Sequence, residues 1–196
     1  MVMGEDVLRL RSRGQSAPPL SDEALARACA GGDPGAASAL FDRFRGPVAR
    51  TIYRLVGGGS DVEDLVQSTF LEVARGRSVW DDRASVLTWL LAIATNVVRH
   101  HRRATGRRLR LVSAMAWARA EERPAARPEA RIELARAQKA LADLGEELRE
   151  AFVLCQLEGL SAREAAQVLG TSEAAVWVRV SKARKAIRAA VLGDEP

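Results

Sequence analysis

The tightest constraint on this chain lies near its C-terminal end, where two amphipathic segments meet across a single glycine. Ser161 and Glu164 have the Ser-x-x-Glu spacing of a helix capping box, Ala165, Ala166 and Leu169 carry the first segment, and Gly170 stops it. A second helix restarts at Ser172, and Val176, Val180, Ala183 and Ile187 repeat every three or four residues as one apolar stripe. Trp177, Arg179, Lys182, Arg184, Lys185 and Arg188 fall largely off that stripe, and no Asp or Glu occurs from 174 to 193. Small residues in the first helix permit a close crossing, so residues 160–187 read as a helix-turn-helix whose second helix enters a DNA major groove N-terminus first. Ser172, Glu173, Trp177 and Arg179 then face base edges or nearby phosphates, with Ser181 beside them, while Lys182, Arg184 and Lys185 hold phosphates. The bland alternative is a helical hairpin with a solvated basic face.

The rest of the chain has the same three-to-four-residue periodicity and lacks long Val/Ile/Tyr alternations, which predicts an all-α protein of two small helical domains. Residues 1–20 have no clear apolar period and read as a mobile N-terminal extension. One helix starts at Ser21 and ends at the Gly31-Gly32-Asp33-Pro34 turn, and a second runs through Phe41, Phe44, Val48, Ile52 and Leu55 to three glycines. Ser60 and Glu63 have capping-box spacing at the head of a third, with Val62, Leu65, Val66, Phe70 and Val73 on one face and Asp61, Glu63, Asp64, Gln67 and Glu72 on the other. A fourth begins at Ser85, passes through Leu87, Leu90, Leu91, Ala94 and Val98, and finishes in His100-His101-Arg102-Arg103. These helices fill a first domain, 21–105. Residues 106–130, with Arg107, Arg108, Arg110, Pro124 and Pro128, read as a basic linker, and a second domain occupies 131–192, with Gly145 interrupting its opening helices.

Net charge is +5, but its distribution says more: no carboxylate occurs between Asp82 and Glu121, a stretch holding eight arginines. Cys29 and Cys155 are far apart and lack metal spacing, which suggests neither a disulfide framework nor a zinc site and leads to the expectation of a reduced, cytoplasmic protein. No apolar run is long enough to span a bilayer, and the N-terminus lacks a secretory apolar segment. His100 and His101 are adjacent on a helix, point about 100° apart, and so cannot readily share a metal. No metal and no cofactor is expected.

Three segments in order resemble one known family, the extracytoplasmic-function (ECF) sigma factors of RNA polymerase, over nearly all of 21–192. Asp61-Val-Glu-Asp-Leu-Val-Gln-Ser-Thr-Phe70 is similar to the family's region 2.2, and Ser85-Val-Leu-Thr-Trp-Leu-Leu-Ala-Ile-Ala-Thr-Asn-Val-Val98 with the following basic run is similar to regions 2.3 and 2.4. The helix-turn-helix of 160–187 is similar to region 4.2. The resemblance implies that Asp61, Asp64, Leu65, Gln67 and Phe70 sit at or support docking on a coiled coil of the core polymerase clamp, a role suited to 55–74, which contains no Lys or Arg. It implies further that Asn96 reads an unstacked base of the minus-ten element, that Arg99, His100, Arg102 and Arg103 meet its backbone, and that Trp80 and Arg83 lie on or near the loop framing that base. The second domain would bind the minus-thirty-five element. Catalysis then belongs to the polymerase and the chain is not an enzyme. Its partners would be core RNA polymerase, promoter DNA and an anti-sigma factor, commonly membrane-bound, with the free chain a monomer.

Simpler readings exist for each part. A solvated acidic first turn favoured by the helix dipole explains Asp61, Glu63 and Asp64 without a partner, and Trp80 or Trp89 can be core, with Trp89 the stronger case. Two departures from the family stand out: Gly145 where a proline is common, and Trp177-Val178 in place of a polar pair at the front of the recognition helix. An apolar contact with a thymine methyl, or packing against a regulator, would suit that pair. The competing functions are a dimeric helix-turn-helix repressor or activator, which leaves the first half unexplained, and a metal-dependent nuclease built on Asp61, Glu63, Asp64 and Glu72, for which no second ligand helix is visible.

Overall fold

The computed structural model describes residues 20–57, 59–76, 78–105 and 128–192. Eight α-helices are found among them: α1 (Asp22–Ala30), α2 (Pro34–Val56), α3 (Val62–Ala74), α4 (Val86–Thr105), α5 (Pro128–Asp143), α6 (Glu146–Phe152), α7 (Ala162–Leu169) and α8 (Glu173–Leu192). The expected N-terminal extension, apart from Leu20, and the basic linker up to residue 127 lie outside the described residues.

Local chemistry sets most helix ends. Ser21 Oγ accepts the Ala24 N–H at 3.2 Å, and Asp33 Oδ1 accepts from Gly35 at 2.8 Å in front of a helix-initiating Pro34. Gly57 closes α2 at φ 83°, returning its N–H to the Tyr53 carbonyl, and Gly170 does the same for α7 at φ 63°. Only glycine takes these left-handed positions without strain. Ser161 and Glu164 form the full reciprocal capping box. The box expected from Ser60 and Glu63 does not form: Asp61 is the N-cap and makes no side-chain cap bond, because Ser60 Oγ donates sideways to Asp61 Oδ1 at 3.2 Å. The third helix therefore starts one residue later than the spacing suggests.

The first four helices pack Leu40, Val48, Ile52 and Leu55 of α2 against Leu65, Val66 and Val73 of α3 and Leu90, Leu91, Ala94 and Val98 of α4. Phe41 meets Phe70 edge to face at 5.1 Å. In the second half, Leu141 and Leu144 of α5 and its following turn join Ala165, Ala166 and Leu169 of α7 around the Val176, Val180 and Ala183 stripe of α8. Helix α6 runs directly into a π-helical turn, Val153–Leu157, which buries Val153 and Leu154 side by side.

The two halves also touch. Helix α4 lies against α7, and the end of α2 lies against α5, α6 and the π-turn, so the buried apolar residues of both halves form one continuous cluster. At the seam, the half-buried guanidinium of Arg149 donates to the carbonyls of Leu55 at 3.1 Å, Leu141 at 3.0 Å, Ala142 at 2.6 Å and Leu144 at 2.7 Å. These are the unsatisfied carbonyls of two helix C-termini, one from each half, where partial negative charge favours a cation. Burial, and secondarily the nearby Arg102, push the Arg149 pKa down to about 10, which leaves it charged at neutral pH.

Candidate nucleic-acid interface

Helix α8 presents the broadest cationic face. Val176, Val180 and Ala183 turn inward, which leaves Trp177 60 % and Val178 53 % exposed, with Ser172, Glu173, Ser181, Lys182, Arg184 and Lys185 also open to solvent. Ser172 Oγ accepts the Ala175 N–H at 3.2 Å and so fixes the N-terminal end of this helix. A shallow groove along the face is lined by Trp177, Ser181, Arg184, Lys185 and Arg188. Arg188 was not among the residues expected to contact DNA, although its place four after Arg184 and eleven after Trp177 puts it on the same row. Arg184 donates to Gln156 Oε1 at 3.1 Å through Nε, and Arg179 pairs with Glu147 at 2.8 Å.

Helix α4 divides its polar residues between two directions. Asn96, His100 and Arg103, spaced four and three apart, are exposed on one row. Arg99 and Arg102 point into the seam instead: Arg99 grips Glu150 with two bonds, at 3.0 and 2.6 Å, and reaches the Leu169 carbonyl at 3.4 Å. Arg102 pairs with Glu146 at 3.2 Å and donates to the Leu55 carbonyl. The hydrogen bonds that Arg99 donates to Glu150 raise the Arg99 pKa, against the lowering effect of burial. In the loop before α4, Arg83 is exposed and pairs with Asp81 at 3.2 Å. Trp80 is drawn into the core, its indole N–H given to the Ala84 carbonyl at 2.8 Å and its face covered by Arg27. In this conformation the ring supports the loop from beneath and is closed to a base. Trp89 is half-buried and donates to Ser78 Oγ at 3.2 Å.

Helix α3 has an outer face of opposite character. Glu63, Asp64, Gln67 and Leu71 are exposed along it, and Leu71 at 51 % exposure is a residue that sequence reasoning passed over, although it follows Gln67 by one helical turn. Leu65 and Phe70 are buried and hold the face from behind. Asp61 is half-buried and lies 3.1 Å from His101 Nε2, which ties the start of α3 to α4. The acidic groups of this region go to separate partners, Glu72 to Arg75 at 3.1 Å and Glu63 to Arg45 at 4.0 Å. No cluster of three or more potential metal ligands occurs among the described residues. None of the helices described is long and apolar enough to cross a membrane.

The comparisons with known proteins agree with this geometry. The family model for Sigma-70 region 2 matches residues 40–108 and that for Sigma-70 region 4 matches 134–187. The chain is 35 % identical to the RNA polymerase sigma factor NccH of Alcaligenes xylosoxydans xylosoxydans, over 87 % of this chain and 95 % of the relative. It is 34 % identical to the ECF RNA polymerase sigma factor SigC of Mycobacterium tuberculosis, over 88 % and 92 %. Among solved structures, that of CnrH in complex with the cytosolic domain of CnrY superposes with a TM-score of 0.63 at 31 % identity, covering 89 % of this chain and 99 % of the other. With both family regions in order and relatives matched over almost their whole length, the chain belongs to the ECF sigma factors, the subunits that direct RNA polymerase to promoters.

Proposed function

We propose that this sigma factor divides its work among the three outward faces just described. Residues 21–105 act as the region 2 unit, 131–192 as the region 4 unit, and 106–130 as the linker between them. Asp64, Gln67 and Leu71 dock on the core polymerase, with Asp61 orienting the helix start and Leu65 and Phe70 supporting it. Asn96 reads a base of the minus-ten element while His100, Arg103 and Arg83 meet its backbone, joined by Arg99 and Arg102 once these leave the seam. On α8, Ser172, Glu173, Trp177 and Arg179 address the minus-thirty-five element, and Ser181, Lys182, Arg184, Lys185 and Arg188 anchor it to phosphates.

The observation that carries this reading is the segregation of charge: α3 turns a cation-free face outward, whereas α4 and α8 turn outward cationic ones. An acidic patch repels DNA and suits a basic protein surface; a row of Arg and Lys does the reverse. The polymerase performs the chemistry, and this chain supplies docking, recognition and strand opening. By likeness to CnrH, which is seen with the cytosolic domain of CnrY, an anti-sigma factor would occupy these faces in the inactive state.

Size-exclusion co-elution with purified core polymerase tests the docking face. Wild type should co-elute, and Asp64→Arg/Leu71→Ala should not. Trp177→Ala/Arg188→Ala should co-elute normally and lose transcription from promoters that depend on the minus-thirty-five element. Retention of core by the charge-reversed variant would overturn the α3 assignment.

A further inference from the structure

Helix α1 carries no residue assigned above to polymerase or DNA, yet it reaches into the loop that opens α4. Leu25, Ala26 and Cys29 bury its inner side against α2, α3 and α4, which leaves Arg27 on the outer side with its backbone fixed. Arg27 Nη2 donates to both oxygens of Asp82, at 2.9 and 3.0 Å, across 55 positions of sequence. The same guanidinium stands 5.2 Å from the centre of the Trp80 ring. One side chain of α1 thus holds two residues of the loop 80–85.

The backbone it holds is not held locally. Asp82 has φ 63° and is the one non-glycine residue with positive φ among those described. Aspartate tolerates the left-handed region best when its short side chain bonds to neighbouring main chain. Asp81 does bond in that way, accepting the Arg83 N–H at 3.2 Å, but the Asp82 carboxylate is given to Arg27, so a distant helix stands in for the local bond. The base of the loop is closed separately, by the Trp80 indole N–H on the Ala84 carbonyl at 2.8 Å. Arg27 and Asp82 are 59 % and 58 % exposed, and an ion pair in water adds little to the stability of a fold. It suffices to bias a short loop already closed at its base, where few conformations compete. The loop leads into α4 through Ser85, whose Oγ accepts the Thr88 N–H at 3.1 Å, so its shape is fixed relative to the outward row of Asn96, His100 and Arg103.

We propose that Arg27 is a positioning residue for minus-ten selectivity: from α1 it holds Asp82 and Trp80 so that the loop 80–85 keeps one shape at the head of α4, and it governs which base is accepted there rather than how tightly DNA is held. The inference rests on the minus-ten role given to α4 under the proposed function. Positioning and contact differ in what their loss does. A lost phosphate contact weakens all sequences alike and lowers the salt dependence, whereas a loop released from one shape accepts more bases at one position.

The test uses holoenzyme assembled with purified core polymerase and a pool of fork-junction DNA whose single-stranded minus-ten segment is randomised; the bound fraction is sequenced, and the affinity for the whole pool is measured across a salt series. Arg27→Ala should co-elute with core and melt as wild type does, keep its pool affinity, and lose about fivefold of the base preference at one position, as expected when an exposed ion pair and a cation–π contact of ordinary strength stop biasing the loop. Asp82→Asn keeps a side chain suited to positive φ and should flatten the same position, and Arg27→Ala/Asp82→Asn should lose no more than either alone. Arg27→Lys, which keeps the charge without the planar group over Trp80, should retain part of the preference. A wild-type preference profile in Arg27→Ala would overturn the proposal, as would losses that add in the double variant. So would a uniform weakening of the pool with the salt slope reduced by about one, which would make Arg27 a phosphate contact. Asn96→Ala in the same pool judges the underlying reading separately: an unchanged profile there counts against base reading by α4, while the profiles of Arg27→Ala and Asp82→Asn still decide the role of Arg27.

Discussion

Helices α4 and α8 are both twenty residues long and both carry several arginines, yet they spend them differently. On α8 Lys182, Arg184, Lys185 and Arg188 are on the outer face, and Arg179, itself only 20 % exposed, pairs with a carboxylate, Glu147, that is 73 % exposed. On α4 the row of Asn96, His100 and Arg103 faces outward, while Arg99 and Arg102 are sunk into a second protein surface. The same residue type therefore has two energetic meanings. A pair whose carboxylate lies in water is nearly neutral for stability, whereas a pair whose carboxylate is fully buried is costly to break.

The largest expected break in that contrast comes from Glu150→Ala, which leaves Arg99 desolvated without its carboxylate. It should cost about 3 kcal/mol in urea denaturation, against less than about 0.5 kcal/mol for Glu147→Ala on the α8 side; equal costs would show the seam pair to be as solvated as the surface one. Arg149→Met should follow, at about 2 kcal/mol, because the carbonyls at the end of α5 lose their donor while that of Leu55 keeps only Arg102. It should also raise the protease sensitivity of the seam. Ser161→Ala should cost about 1 kcal/mol by removing a formed capping box, whereas Ser60→Ala should have almost no effect. The Ser161 hydrogen bonds also hold the Glu164 carboxyl below its ordinary 4.5. A lowered folded pKa gives stability that is present above the unfolded value and is lost as pH falls through the folded one, so acid melting of wild type should begin below about 4.5 with a contribution that Ser161→Ala reduces to the part held by the backbone N–H. The smallest stability effect is expected from Trp177→Ala, within about 0.5 kcal/mol, since the ring is mostly in water; its DNA affinity should nonetheless fall, and unchanged affinity would remove Trp177 from the recognition face.

Much of this was legible in the sequence because helices announce themselves locally. The stripe of Val176, Val180 and Ala183, the Ser161 and Glu164 box and the Gly170 break are all encoded within a few residues, and each is found in the structure. Capping chemistry is less secure when competitors are adjacent: Ser60 had the right spacing to Glu63, but the neighbouring Asp61 carboxylate took its hydroxyl. Trp80 could be read as an open loop residue or as core from sequence alone, since only the fold shows that Ala84 turns back to accept its N–H. The seam was not legible at all. Arg99 and Glu150 are 51 positions apart, and Arg54 and Glu158 are 104 apart, so no period or motif links them. A run of arginines on α4 looks equally cationic whether half of it faces solvent or another helix.

The grip of Arg149 on two helix ends gives the seam a mechanical character. Carboxylate clasps such as Glu146 to Arg102, open on one side to water, weaken as ionic strength rises, but the Arg149 guanidinium, although Glu146, Asp143 and Glu150 act on its charge, is held by direct bonds to main-chain carbonyls that salt screens much less. Ionic strength should therefore loosen the rim of the joint before its centre, where Arg149 rivets the end of α2 at Leu55 to the end of α5.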